Sequence, residues 1–349
     1  MLVDKSLTSV LSLCHEYNEK KRCPICKSLN TKKHGFINSN ILTVRGFQKR
    51  KIQRFFCKNC QKPFTSKGYK QRKKTSNHLK NKAVKDFVNT KNSLQEVADR
   101  YHISKVSILN WLKQIAINIP DAFRPIPNLN DVLLIDGKEI KVNGKRKVLL
   151  ISKTFLSREI AFYALYDYEN IASSIDFLTK IKELYIKNNI QGIVSDFGRG
   201  KCFLKTVKNI FPTIPHQVCN VHFMRYMWLF LPRSKKSKHY EQNNKLKDLI
   251  KNILYAPNRL KSLERLEYLN SIVNDFKKPY QKRFIRSINK NYEYLTRHYK
   301  YSFLPDNTNS IENYNRQLSR KFKNLDGFKS ENNLKCFLKI HINNDKIFN

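Results

Sequence analysis

Val132-Leu133-Leu134-Ile135-Asp136 is an unbroken apolar run that ends on a carboxylate. A short run of branched residues bounded by turn signals reads as a strand buried on both faces. Asn143-Gly144, a strong hairpin signal, follows. Val148-Leu149-Leu150-Ile151 then reads as a second strand, and Ile160 to Leu165 as a third. Residues 170–187 place Ile171, Ile175, Phe177, Leu178, Ile181 and Leu184 at helical spacing. Ile190 to Val194 is a fourth strand ending in Ser195-Asp196, before a helix over about 201–210 and a short strand at 216–218.

Three strands of meander followed by helix, strand, helix, strand is the order of an RNase H-like mixed sheet, an α/β fold. In that order the first and fourth strands are neighbours, so Asp136 and Asp196, sixty positions apart, meet at one edge of the sheet. Two carboxylates there repel and raise each other's pKa, which a divalent cation reverses. A third carboxylate from a late helix would complete a site for two Mg²⁺ or Mn²⁺ ions, at the roughly 3.5–4 Å separation used in phosphodiester displacement. Plainer readings exist: Asp136-Gly137 as a tight turn, and Asp196 as the cap of the next helix. Asp131, Glu139, Asp167 and Glu169 are rival ligands; the last two rank lower because the third strand lies on the far side of the first. Asp196-Phe197-Gly198 spells a kinase tripeptide, but the accompanying kinase loops are absent.

The late helix is read from 305–320. There Asn309, Glu312 and Asn315 share a face, Ile311, Tyr314 and Leu318 form an apolar stripe, and Arg316, Arg320, Lys321 and Lys323 follow. One inward carboxylate among amides, with cations beyond it, suits a metal ion beside a phosphate chain. The alternative makes Asn309 and Glu312 a capping box. Glu293 and Asp306 are rivals for Glu312 that lack its Asn-x-x-Glu-x-x-Asn setting. Residues 223–304 read as a basic helical insertion between the sheet and this helix. Its lysines and arginines (Lys277, Lys278, Lys282, Arg283 and Arg286 among them) alternate with tyrosines and suit backbone contact.

Upstream, residues 1–20 are compatible with a short amphipathic helix. Cys23-x-x-Cys26 and Cys57-x-x-Cys60, about thirty residues apart, present four thiolates to a structural Zn²⁺ in a ribbon over 21–70, with no position left open for substrate. Residues 76–118 read as a helix-turn-helix. A first helix covers about 79–90, Ser93 and Glu96 box the second, and Ser104 caps a third, which would present Ser104, Lys105, Ser107 and Asn110 to base edges. Pro120, Pro125 and Pro127 mark a linker over 119–130.

The chain has 349 residues, 68 of them Lys or Arg against 27 Asp or Glu, for a formal charge of +41. A field of that sign, spread along the chain, concentrates polyanions and makes nucleic acid the leading partner. Aromatics at 12% supply enough apolar surface to fold. No run of 18 apolar residues and no signal-peptide core is present, so a soluble intracellular protein is expected, without a membrane role. The scattered Cys202 and Cys219, with His216 and His222, offer a conceivable second zinc set.

Four segments together carry a family resemblance: LLIDGKEIKV (133–142), GIVSDFGRG (192–200), HQVCNVHFMR (216–225) and TNSIENYNRQLSRKFKNLDGFKS (308–330). They resemble the Mutator-like DDE transposases of insertion sequences, over roughly 22–340. The resemblance implies Asp136, Asp196 and Glu312 as the acidic triad, with Asn309 and Asn315 beside it. It implies a core split into 131–222 and 305–345 by the insertion. Cys219 and His222 match the family's CxxH signature, where His222 could orient a phosphate or steady the site. It further implies a nucleoid-associated protein of a prokaryotic cell, acting as a dimer or larger assembly on the double-stranded DNA of element ends and target. A DNA-binding regulator without catalysis, or a structure-specific nuclease without strand transfer, are the alternatives.

Overall fold

The computed structural model describes residues 21–65, 75–119, 131–185, 190–197, 202–231, 236–325, 328–344 and 347. The expected helix at 1–20, nearly all of the linker and residues 232–235 of the expected insertion lie outside them. By packing the chain divides into Met1–Asp86 with Val97–Ser104, and Phe87–Glu96 with Lys105–Asn349. The expected helix-turn-helix segment is shared between the two.

In the first unit, β1 (Thr31–Thr43), β2 (Gly46–Cys57) and β3 (Pro63–Thr65) form an antiparallel sheet in chain order. Phe55 and Phe64 stack across β2 and β3 and pack with buried Cys23 and Cys57, so the thiols sit in the small core. Next come α1 (Asn77–Asn89), α2 (Leu94–Arg100) and α3 (Lys105–Ile117). The Ser93–Glu96 capping box forms: the Ser93 N–H donates to Glu96 at 2.6 Å and the Glu96 N–H to Ser93 Oγ at 3.2 Å. His102, at φ 52°, turns the chain between α2 and α3.

The second unit holds β4 (Val132–Val142), β5 (Lys145–Thr154), β6 (Ile160–Tyr166), α4 (Ile171–Tyr185), β7 (Gly192–Ser195), α5 (Cys202–Ile210) and β8 (His216–Val218). The strands order as β6-β5-β4-β7-β8; β4 is antiparallel to β5 and parallel to β7, and β7 is parallel to β8. This is the mixed five-stranded sheet of an RNase H-like fold. Asn143 and Gly144 both take positive φ (50° and 75°), the conformation that a two-residue hairpin turn requires. β4 runs farther than expected. Asp136 does not end it but sits mid-strand opposite Ile151, because Gly137 to Val142 keep pairing with β5 as far as the hairpin. The tight-turn reading of Asp136-Gly137 is thereby excluded.

Leu133, Ile135, Leu150 and Ile193 meet Phe177, Leu178 and Ile181 of α4 and Phe203 and Val207 of α5 in one core. After β8 the chain is helical: α6 (Asn220–Phe230), α7 (Tyr240–Leu254), α8 (Arg259–Ser271) and α9 (Pro279–Leu295). Their apolar faces close a second core with Phe197 and Val218 from the strand ends, which ties the insertion to the sheet. Of the two last helices, α10 (Asn309–Asn324) returns to β4 and α11 (Glu331–Ile342) packs on α3. Among the described residues no helix is long and apolar enough to cross a membrane.

Candidate active site

Register brings the two aspartates together. Ile135 pairs with Ser195 across parallel strands, so the next residues, Asp136 and Asp196, stand side by side one strand spacing apart, about 4.8 Å. Side chains alternate along a strand, so Asp136 faces away from the Leu133–Ile135 core. It meets α10, whose Asn315 donates Nδ2–H to Asp136 Oδ2 at 2.7 Å. The Gly137 N–H donates to Asp136 Oδ1 at 3.0 Å. Asp136 is 5% exposed. Burial pushes its carboxyl up to about 7, opposed by the Asn315 hydrogen bond and reinforced by the charges of Glu312 and Glu169.

Ligand atoms of Asp136, Asp196 and His222 all lie within 4.8 Å of one another, as do those of Cys219, His222 and Glu312. Glu312 therefore joins the aspartates through His222, the member common to both groups. Cys219 ends β8 and begins α6, its N–H donating to the Ser195 carbonyl at 2.9 Å; one helical turn later His222 reaches the same place. Thr308, fully buried at the start of α10, donates its hydroxyl to Cys219 Sγ at 3.3 Å and lies 3.3 Å from His222 Nδ1. His222 Nε2, on the other side of the ring, lies 3.5 Å from Glu312 Oε1. Burial holds the imidazole pKa below its ordinary value, Arg225 lowers it further, and Glu312 only partly opposes them. Asp136 with Asp196 on one side and Glu312 with Cys219 on the other thus make two groups of possible cation ligands that share His222. Arg225, on α6, holds Glu312 from outside, with Nη1 at 2.9 Å from both oxygens.

The rivals resolve by their contacts. Asp131 is fully buried and accepts the N–H groups of Val132, Phe155, Leu156 and Ser157, so it braces the start of β4. Asp167 pairs with Lys147 at 2.8 Å and Glu293 with Arg259 at 2.9 Å, both on the surface. Asp306 accepts the Asn220 N–H at its carbonyl and an Asn307 amide proton at its side chain. Glu169, ranked low on strand position, does come back to the site. A Cβ on Gly137 would lie 2.9 Å from its Oε2, and its charge acts on Asp136. Burial raises its pKa, with help from Glu139.

Three expectations change. Asn309 is exposed, and Thr308, not Asn309, occupies the cap position, so the Asn309–Glu312 capping box does not form. Lys321 is 6% exposed rather than free to meet DNA: it donates to the Asn92 carbonyl at 2.8 Å and lies over the Phe87 ring. The conceivable second zinc set does not assemble among the described residues. His216 bonds Ser195 Oγ at 2.8 Å instead, and Cys219 turns to Thr308. Arg316, Arg320 and Lys323 remain exposed on α10, as do Ser104, Lys105 and Asn110 at the start of α3, with Ser107 half-buried. Thr308 and Arg225 carried no signal of their own. The spacing of Arg225 three residues after His222, on the same helical face, is the clue that could have found it.

In the first unit, Cys23, Cys26, Cys57 and Cys60 bring their four Sγ atoms within 4.8 Å of one another. The Cys23–Cys60 and Cys26–Cys57 pairs are at 3.6 and 3.4 Å. Tetrahedral Zn²⁺ with bonds of about 2.3 Å spaces sulfurs about 3.8 Å apart, so the set fits. Burial pushes the Cys60 thiol up to about 12, aided by the other three sulfurs. Cys23 is held near 7 because the N–H groups of Cys26 and Ile25 outweigh the effect of its burial.

A family model described as Transposase, Mutator family, matches residues 58–346. No curated protein matches. Among solved structures the chain is similar to the Drosophila P element transposase strand transfer complex, at 12% identity over 82% of this chain and 93% of that one, with a TM-score of 0.45. It is also similar to the simian T-cell lymphotropic virus intasome in complex with PP2A regulatory subunit B56 gamma, at 16% identity over 50% of this chain and 60% of that one, with a TM-score of 0.23. Superpositions that loose carry no argument about fold or chemistry.

Proposed function

The chain belongs to the Mutator family of transposases, enzymes of DNA transposition, and from that premise we propose that Asp136, Asp196 and Glu312 are the acidic residues that cut and rejoin DNA. The observation that carries this reading is the convergence of an early strand, a middle strand and a late helix on His222. The family implies a divalent cation; two Mg²⁺ or Mn²⁺ ions, when bound, would supply the charge that ionises the attacking oxygen and stabilises the leaving one. Asn315 and the Gly137 N–H fix the direction of the Asp136 oxygens. Thr308, between Cys219 and His222 Nδ1, fixes the imidazole so that its Nε2 faces Glu312. The exposed Arg316, Arg320 and Lys323, one to three turns along from Glu312, suit the phosphates on either side of the reacting bond.

Recognition falls to the N-terminal modules. A ribbon stapled by Zn²⁺ through Cys23, Cys26, Cys57 and Cys60, and α3 with Ser104, Lys105, Ser107 and Asn110 at its start, read the element ends as a helix-turn-helix does in the major groove. Two ends must be joined in one reaction, so the working form is a dimer or larger assembly on DNA.

Purified protein incubated with end-sequence DNA and Mg²⁺ or Mn²⁺ is expected to release cut ends and join them to target. Asp196→Asn and Glu312→Gln should each abolish both steps while leaving DNA binding intact. Full activity in either variant would remove the mechanism. Cut ends that are never joined would instead indicate a nuclease.

A further inference from the structure

Glu312 is 14% exposed at its side chain and already carries a counter-charge. Arg225 reaches it from α6 with half of its side chain in solvent, and a single nitrogen, Nη1, sits 2.9 Å from both carboxylate oxygens. A guanidinium stays charged at every accessible pH. A divalent cation drawing on the same two oxygens therefore meets a fixed positive charge in its place.

We propose that Arg225 and the divalent cation exchange at Glu312: the arginine neutralises the carboxylate while the site holds no ion, and the displaced guanidinium then takes a DNA phosphate. This rests on the reading of Glu312 as a cation ligand. Three observations make the exchange feasible. Arg225 is three residues from His222 on the same helical face, so α6 brings both the imidazole and the guanidinium to Glu312. The arginine lies on the solvent side, the side from which a phosphate chain arrives, and its long stem lets the head group leave without moving α6. The pair also explains how a carboxylate beside buried Asp136 and half-buried Asp196 is kept in place before any ion is present.

The test uses the full chain with its ribbon zinc retained and two readouts that need no turnover. Mn²⁺ affinity without DNA is measured by titration followed by electron paramagnetic resonance. DNA affinity is measured with Ca²⁺ present, over a range of salt concentrations. Arg225→Ala is expected to tighten Mn²⁺ by about fivefold or more, through loss of a competing charge beside a shielded carboxylate. The same variant is expected to weaken DNA binding and flatten its salt dependence by about one phosphate contact. Arg225→Lys, which keeps one cationic nitrogen, should restore most of the DNA affinity. Unchanged or weaker Mn²⁺ binding by Arg225→Ala, in a protein with wild-type circular dichroism, overturns the exchange. Glu312→Gln separates the two levels. If it leaves Mn²⁺ affinity unchanged, the ligand reading itself fails; if it weakens Mn²⁺ while Arg225→Ala does not tighten it, only the exchange fails.

Discussion

Asp136 shows at a single residue what the site demands of the fold. Its ordinary carboxyl value is 3.8, and burial carries it to about 7. Below about pH 4 folded and unfolded chains both hold the proton and nothing is lost. As pH rises the unfolded chain ionises first, so the folded state loses stability until about pH 7, above which the penalty is complete. At 1.36 kcal/mol per unit the ceiling is about 4 kcal/mol, and relaxation leaves roughly 1–3. Asp136→Asn, which can still accept from Asn315, is therefore expected to raise the denaturant midpoint at pH 8 in buffer free of Mg²⁺ and Mn²⁺, with the gain fading to zero by pH 4. A gain that ignores pH would contradict the assignment. Thr308→Val removes the hydroxyl between Cys219 and His222, and should weaken Mn²⁺ binding about tenfold or more, with Thr308→Ser restoring it. At this scale the sequence was uneven. The carboxylates were legible because an apolar run closing on an acid and an Asn-x-x-Glu-x-x-Asn helix leave a pattern. Thr308 was not, since a threonine before a helix is ordinary, nor was Glu169, whose side chain reaches Gly137 from beyond the end of β6. Lys321 misled because a lysine in a basic run carries no mark that it points inward.

The elements β4, β7 and α10 form the frame that holds these residues, and their packing can be tested without touching the site. Gly192 opens β7, and a Cβ there would lie 2.3 Å from Leu304 Cδ2 and 3.3 Å from Phe303, in the segment that leads into α10. Gly192→Ala is thus expected to destabilise by about 1–3 kcal/mol through overpacking. Adding Leu304→Ala should recover part of that loss, so the two changes would be non-additive in a denaturation cycle; simple additivity would contradict the contact. Most elements could be read from sequence within two residues: α4 at 171–185 against 170–187, β8 at 216–218 as expected. Apolar periodicity and the Asn143-Gly144 turn carried that information. The length of β4 could not be read, because Lys138, Glu139 and Lys141 break its apolar run although the backbone continues to pair with β5.

Over the whole molecule a charge of +41 on 349 residues governs how the protein meets DNA. Binding to unrelated duplex is expected to fall by a factor of about 10³ or more between 50 and 200 mM salt, as counterion release requires. Cys57→Ser, which removes one of the four thiolates, should abolish preference for element ends while sparing that salt-sensitive background; retained preference would separate the ribbon from recognition. The central claim concerns three chain segments sharing one ionic site, and diffraction tests it most directly. Crystals soaked in Mn²⁺ should give anomalous density bounded by Asp136, Asp196 and Glu312, with Arg225 withdrawn from the glutamate. Density absent from that place, or held by the aspartates while Glu312 remains on Arg225, would contradict it.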